Sequence, residues 1–490
     1  MNVLFVASEM EPLAKTGGLA DVIGILPKRL KELGLDVRVV IPYYKEVERN
    51  LKRLKYKVKA LRAKEIIIPI DWIPYKGKIK ETTIGGVTVY FLCNDKLYGR
   101  EQIYGTSTGD FEDNDVRFGF LSLGALEIAK LLSFKPDIIH CNDWQTALVP
   151  ISLKWKKRYK DTPFFEESKV VFTIHNIAYQ GIYPKEFIEK FGFPTDIYNP
   201  SEMEFYGKVN LLKGAIISSD LVLTVSPRYA EEIKTPEYGY RLDGVLRLIS
   251  NQNKLIGIMN GLNYDIWDPE RDNAIFKKYN VRNLEGKTVN KLKLRERLGF
   301  KSGDDKPLIG IVSRLADQKG IDLVVYSLEQ ILALGVELVV LGEGDRNYEN
   351  LLTQKIEKYS GSFSAIIRYN DKKARYIYAG SDMFLMPSRF EPCGLGQLIA
   401  LKYGSIPIVR GTGGLLDSII DYKRNKELGN GFVFHGFESK ELLDAIKNAI
   451  HVYNDHAQWN ELVKRAMTEN FSWRKSSKLY LEHYRDLLGK

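Results

Sequence analysis

Cysteine is scarce. Cys93, Cys141 and Cys393 are the only three in 490 residues, and they lie too far apart for a metal-ligand spacing. The amino terminus, Met1-Asn2-Val3-Leu4-Phe5-Val6-Ala7-Ser8, lacks the positively charged stretch of an export signal. Few thiols and no leader predict a reducing, cytoplasmic setting. No apolar run reaches the ~18 residues that a membrane span needs, so no membrane partner is expected. Internal repeats and low-complexity tracts are also missing. With 44% hydrophobic and 27% charged residues, intrinsic disorder and fibrous architectures are excluded. Histidine is rare too, at six residues, so a histidine at a strand end draws notice.

What is present in excess is positive charge, a net +10. Such a balance suits nucleic acid, a membrane surface or a small anionic substrate, and it also suits a plain lysine-rich surface. The lysines are dispersed, as at Lys52-Arg53, Lys55, Lys57 and Lys372-Lys373. No arginine-rich arm or aromatic RNA-binding signature accompanies them, so nucleic acid is not an expected partner.

Short apolar runs alternate with amphipathic stretches along the whole chain. Strands are expected at Val3–Ser8, Val37–Ile41, Ile138–His140, Val170–His175 and Leu221–Val225. A second series is expected at Leu308–Ser313, Glu337–Leu341, Ala365–Arg368, Met383–Met386 and Ile406–Val409. Helix-length segments such as Ala20–Leu33, Asp322–Leu334 and Gly396–Tyr403 lie between them. Continuous Val/Ile/Leu strands separated by helices predict parallel sheets covered on both faces. The pattern resets near Asn260-Gly261, which predicts two doubly wound α/β domains. Three helices, Lys440–Val452, Trp459–Met467 and Trp473–Leu488, end the chain. Periodicity leaves open whether the last caps the second domain or returns to the first.

Loops after parallel strands are where such folds bind ligands. The first reads Lys15-Thr16-Gly17-Gly18-Leu19-Ala20-Asp21-Val22 and opens a helix. Paired glycines let backbone N–H groups approach an anion, and Lys15 adds a full charge; a tight turn with an exposed lysine reads the same way. In the second series, Ser313-Arg314-Leu315 and Gln318-Lys319-Gly320 join a strand to a helix, and an arginine fork with a lysine suits a diphosphate. A third segment, Arg389-Phe390-Glu391-Pro392-Cys393-Gly394-Leu395-Gly396, offers a carboxylate for sugar hydroxyls and backbone N–H groups for phosphate. Cys393 has no histidine nearby in sequence to make it a nucleophile. His175-Asn176 ends one strand, and His140 and Asp143 end another. His451 and His456 are expected in solvent. Asp113-Asn114-Asp115 has a metal-binding form, but it precedes a helical run and is read as a helix cap.

Together, KTGGLADV, the dipeptide at His175, SRL followed by QKG, and PSRFEPCGL resemble bacterial glycogen synthases and plant starch synthases, in consistent order from Met1 to about Tyr484. The resemblance implies a GT-B fold, two Rossmann-like domains facing an interdomain cleft. Residues 1–255 would form the acceptor-side, catalytic domain and 256–470 the nucleotide-sugar domain, with 471–490 packing back on the first. The implied reaction transfers glucose from ADP-glucose to the 4-OH end of an α-1,4-glucan with retention, without metal or other cofactor. UDP-glucose is the alternative donor, and an inactive binding module the alternative function. A phosphorylase of the same fold would need a pyridoxal phosphate lysine. Carried over by motif, Lys15, Gly17, Gly18 and Asp21 would meet the diphosphate side of the donor. Arg314 and Lys319 would stabilise the departing diphosphate. Glu391 would hold glucose hydroxyls, with Cys393, Gly394, Leu395 and Gly396 beside it. His175 and Asn176 would sit over the glucose, Asn260 would reach the sugar, Tyr369 would pack on the base, and Asp143 would line the acceptor side. Two departures stand out. HCNDWQ replaces the HAHDWH of many relatives, and Gly396 stands where the bacterial GLTQL has threonine.

Overall fold

Asn2–Val6 forms the first strand, β1, and all but its first residue are buried. It belongs to a computed structural model that describes residues 1–106, 109–300 and 306–490, the side chains of residues 62–64 excepted. The chain divides into two units. The first comprises Met1–Val225, Ala230–Ile258 and Trp473–Lys490, and the second Ser226–Tyr229 and Met259–Ser472.

In the first unit, β1 leads to helix α1 (Gly18–Glu32). There follow β2 (Asp36–Pro42), β3 (Lys59–Ile70), β4 (Ile73–Ile84), β5 (Val87–Cys93), α2 (Asn114–Leu131), β6 (Ile138–Asn142), β7 (Lys169–Ile174), β8 (Leu221–Thr224) and β9 (Leu255–Gly257). They make one sheet of nine strands in the order β9-β8-β7-β6-β1-β2-β5-β4-β3. From β9 to β5 every pairing is parallel. These strands are near-continuous in Val, Ile, Leu and Phe because helices cover both faces. The rule places α1's buried stripe, Leu19, Ala20, Val22, Ile23, Leu26 and Leu30, on one side of the helix.

The first sheet adds to its parallel core an antiparallel edge. β3 and β4 form an antiparallel hairpin, and β4 pairs antiparallel with β5. The signal is period two: Ile66, Ile68 and Ile70 are buried while Glu65, Ile67 and Pro69 are exposed, which marks strands covered on one face only. The turn is Asp71-Trp72, both at positive φ (52° and 60°), as a tight two-residue hairpin connection requires.

The second unit contains α3 (Glu285–Leu298), β10 (Leu308–Val312), α4 (Ile321–Ala333), β11 (Glu337–Gly342), β12 (Phe363–Ile367), α5 (Asp371–Gly380), β13 (Met383–Met386), α6 (Gly396–Lys402), β14 (Ile406–Arg410), β15 (Phe432–Phe434), α7 (Ser439–Tyr453) and α8 (His456–Thr468). Its six strands are parallel, in the order β12-β11-β10-β13-β14-β15. Both sheets therefore reverse their winding at one point, between β1 and β6 in the first unit and between β10 and β13 in the second.

The final helix, Trp473–Leu487, belongs to the first unit. Trp473, Tyr480 and Tyr484 are its buried side chains of largest size. The Tyr484 hydroxyl lies 2.5 Å from Nδ1 of His140, which sits in the middle of β6 and not at its end as expected.

Candidate active site

A crevice opens where neighbouring parallel strands send their connections in opposite directions, and ligands settle there. In the first unit this point lies between β1 and β6. The loop after β1 carries Lys15, Gly17 and Gly18, the loop after β6 carries Asp143, and the adjacent β7 delivers His175 and Asn176.

The glycine loop is anchored by a residue that its motif does not include. Glu9 is buried; its Oε2 accepts the N–H of Thr16 at 2.5 Å and of Gly17 at 3.2 Å, and its Oε1 accepts the Thr16 hydroxyl at 2.6 Å. The Tyr104 hydroxyl donates to the same Oε1 at 2.5 Å. Gly17's N–H is thus spent on Glu9, and the groups left without an intrahelical acceptor are those of Gly18, Leu19 and Ala20 at the start of α1. A Cβ on Gly17 or Gly18 would meet nothing within 4 Å, so the space over this helix start is open. Lys15 Nζ stands 2.6 Å from Asp21 Oδ1 and 3.4 Å from Glu11 Oε2. Burial pushes the Asp21 carboxyl up, against the pull of Lys15.

Asp143 has φ 56° and ψ 177°, an unusual backbone for a residue with a side chain and one that concentrates at functional sites. Its carboxylate accepts the backbone N–H groups of His175 (2.7 Å) and Asn176. Burial nevertheless pushes it up to about 7. The Asn142 amide donates to Val6 O at 3.1 Å, which turns its Oδ1 toward His175 Nε2 at 3.0 Å. His175 therefore carries its proton on Nε2 and keeps a lone pair on Nδ1. Burial lowers it to about 3, so it is neutral near pH 7. His140 is neutral for the same reason, also lowered to about 3, and both its nitrogens are occupied, by Tyr484 and by Thr173 Oγ1 at 2.6 Å. It is a packing residue.

In the second unit the reversal between β10 and β13 brings together the two other segments. Lys319 Nζ lies 2.6 Å from Glu391 Oε2, with both side chains largely buried, and the Ser388 hydroxyl donates to the same oxygen at 3.1 Å. Glu391 Oε1 takes no hydrogen bond among the described residues. Arg314 is exposed, and its guanidinium touches only Gln318 Oε1, at 3.2 Å, making no ion pair among the described residues. Gly320 adopts φ 69°, and a Cβ there would lie 2.1 Å from Pro387 O, so only glycine lets the two loops close on each other.

Asn260 is buried, and its Oδ1 has no hydrogen-bond partner among the described residues. Cys393 is buried against Met259 Sδ at 3.8 Å, and burial pushes its thiol up to about 12. It stays protonated at neutral pH, so its side chain is inert as a nucleophile. Gly394 lies at φ 75°, Leu395 caps α6, and Gly396 opens that helix. A Cβ on Gly396 would lie 3.2 Å from Phe384 and 3.3 Å from Met386 Sδ. Tyr369 is 55% exposed just before α5, while Arg375 within α5 is held by Asp272 and Asp371, each at 2.9 Å.

The pair Asp113 and Asp115 behaves otherwise than expected. Asp113 is the first residue before α2, but its side chain makes no capping bond. It binds Arg100 through both oxygens, at 2.5 and 2.7 Å, because a bidentate guanidinium outcompetes a backbone N–H. Asp115 turns to Lys190 at 2.6 Å. His451 and His456 are exposed, as expected. Two further participants escaped the sequence reading. Glu9 follows a buried strand within an apolar run, which was its only signal. Gly413-Gly414, a second glycine pair, was legible by the same logic as Gly17-Gly18; Gly414 N–H donates to Glu391 O at 3.1 Å, and a Cβ on Gly413 would lie 2.0 Å from that oxygen.

Comparison with known proteins gives the family and the fold. Residues 2–248 match the family described as the starch synthase catalytic domain, and residues 293–465 match glycosyl transferases group 1. A glycogen synthase of Geotalea uraniireducens is 44% identical, over 100% of this chain and 99% of its own. One from Thermotoga maritima is 42% identical, over 100% and 99%. The catalytic domain of starch synthase IV from Arabidopsis thaliana, solved with ADP and acarbose, superposes with a TM-score of 0.89 at 35% identity, covering 100% of this chain and 99% of that one. A sucrose-phosphate synthase from Thermosynechococcus elongatus shares the fold, at a TM-score of 0.60 and 15% identity. The chain belongs to the glycogen synthase and starch synthase family of GT-B glycosyltransferases.

Proposed function

We propose that the chain is a glycogen synthase, transferring glucose from ADP-glucose to the 4-OH end of an α-1,4-glucan with retention of configuration. One observation carries the reading. Glu391 spends one carboxylate oxygen on Lys319 and keeps the other available, and the Arg314 guanidinium, without a carboxylate partner among the described residues, reaches the same segment through Gln318, whose amide donates to Phe390 O at 3.4 Å. A hydroxyl acceptor held on one cation, with a second cation on the neighbouring loop, suits a sugar diphosphate.

In this reading Lys319 and Arg314 neutralise the diphosphate as the bond from C1 to its oxygen breaks and the electron pair moves to phosphate. The acceptor's 4-oxygen attacks from the same face, and its proton passes to the leaving phosphate oxygen. Glu391 Oε1 and Asn260 Oδ1 accept glucose hydroxyls, and the N–H groups of Gly394 and Leu395 lie beside them. Lys15 and the start of α1 meet the diphosphate side, with Asp21 placing the lysine. Neutral His175 donates from Nε2 only to Asn142 and holds its lone pair toward the sugar, and Asp143 fixes the His175-Asn176 backbone on the acceptor side. Tyr369 gives an exposed ring for the base. The enzyme's part is positioning and charge stabilisation.

Lys319→Ala and Arg314→Ala should each lose on the order of 10²–10³ in turnover; a loss below tenfold at both positions would overturn the assignment. The decisive assay compares glucose incorporation into glycogen from ADP-glucose and from UDP-glucose. Faster incorporation from ADP-glucose supports the stated donor. Faster incorporation from UDP-glucose replaces it, and none from either removes the synthase reading.

A further inference from the structure

The segment that begins at His175-Asn176 runs on into Tyr179, whose N–H donates to Asn176 O at 3.2 Å. Two other loops of the same unit meet it. One is the hairpin turn Tyr206-Gly207, between the strands Glu204–Phe205 and Lys208–Asn210. The other is Tyr240-Arg241, just before the helix Asp243–Asn251. Tyr179, Tyr206 and Tyr240 are 53%, 71% and 41% exposed. The Arg241 guanidinium lies 5.2 Å from the centre of the Tyr206 ring.

Tyr206, Tyr240 and Arg241 all have left-handed backbones, at φ 50°, 47° and 67°. For residues with a Cβ this conformation is unfavourable and persists only where surroundings enforce it. At Tyr206 the two-residue hairpin turn enforces it, and at Tyr240 the enforcing group is Gln180. Its buried amide donates to Ile177 O and to Tyr240 O, each at 3.1 Å, and its Oε1 accepts from Asn210 Nδ2 at 2.6 Å. One amide thus ties the Tyr179 loop, the strand of the Tyr206 hairpin and the Tyr240 loop together. Exposed rings held at such expense, continuous with the candidate site, are a surface kept for a ligand rather than a failure of burial.

We propose that Tyr179, Tyr206, Tyr240 and Arg241 form a platform for the α-1,4-glucan chain behind its reacting end. The proposal rests on the function given above. The C–H faces of successive glucosyl rings would lie on the tyrosines, and the phenol and guanidinium groups would bond their hydroxyls. An uncharged, ring-built polymer suits a surface of aromatic faces and neutral hydroxyls with one cation.

The test uses Tyr206→Ala and Arg241→Ala, two exposed side chains whose loss leaves the Gln180 bonds in place. Initial rates with maltoheptaose and with maltose as acceptors give kcat/KM for each length. Migration in native gels with and without glycogen reads binding with no donor present. The expected result is a fall in kcat/KM about fivefold greater for maltoheptaose than for maltose, with loss of the glycogen-dependent retardation. Equal falls at both lengths, or unchanged retardation, would overturn the platform, as would variants indistinguishable from the parent that lack only a protein contact. If the parent is retarded by glycogen through Tyr206 yet transfers from neither donor, the platform stands and the synthase reading falls.

Discussion

Glu9 collects four donors on two oxygens, and each of them fixes part of the glycine loop. A glutamine in its place can keep Oε1 for the two backbone N–H groups and point its NH2 at the hydroxyls of Thr16 and Tyr104, which can turn to accept. Alanine leaves buried donors without partners, at roughly 1–3 kcal/mol each. Glu9→Ala should therefore raise the donor KM about tenfold or more and lower the urea midpoint, and Glu9→Gln should restore most of both. Equal donor KM values in all three proteins would mean that the loop holds itself.

Proton linkage belongs to the same scale. The unfolded chain protonates His140 below its ordinary 6.5, whereas the folded protein does so only near 3. Its contribution is fully present above pH 6.5 and is lost as pH falls toward 3; His175 acts in the same direction. Asp143 opposes them. Its folded value of about 7 exceeds the ordinary 3.8, so stability from this group declines as pH rises through that window. His140→Gln should reduce the slope of unfolding free energy against pH, between about 4 and 6.5, by the equivalent of about one proton. An unchanged slope in urea titrations at several pH values would show that His140 takes up its proton in the folded state.

At the scale of elements, the glycines fall into two kinds that the sequence cannot tell apart. Gly320 and Gly413 have positive φ and backbone oxygens where a Cβ would stand. Gly17 and Gly18 have neither constraint. Gly320→Ala should destabilise the second unit by about 2 kcal/mol or more. Gly18→Ala should leave the melting temperature unchanged or slightly higher, since alanine favours a helix start more than glycine does, and should raise the donor KM by crowding the open N–H groups. Thermal melts with donor saturation curves for both variants separate the roles; a Gly18→Ala protein that melts early would remove the distinction. The strands of the parallel cores were legible because Val/Ile/Leu runs of five or six residues carry their own signal. The β3–β4 hairpin was passed over because its alternation includes lysine, proline and glycine, and its register depends on β5.

On the scale of the whole molecule, the final helix closes the first unit from the far end of the chain. Tyr484→Phe should cost ~1 kcal/mol by removing the partner of His140 Nδ1. Removal of residues 473–490 should cost considerably more, because Trp473, Tyr480 and Tyr484 leave apolar surface uncovered. Urea unfolding of both variants checks the order; equal stabilities would mean that the hydroxyl, not the packing, matters.

By itself the sequence determined the alternation of strands and helices, the loops that follow β1, β7, β10 and β13, and the residue types they carry. These are short-range matters, set by apolar periodicity, by glycine's backbone freedom and by charge at neighbouring positions. Only the tertiary structure decided that Glu9 anchors the glycine loop and that Lys319 meets Glu391. It likewise decided that Asp113 serves Arg100 instead of its helix, and that Gln180 binds three loops at once. Each of those pairings joins residues distant in sequence or choosing among several local partners. Their geometry exists only after the sheet has set its strand order and the competing hydrogen bonds have been settled by burial.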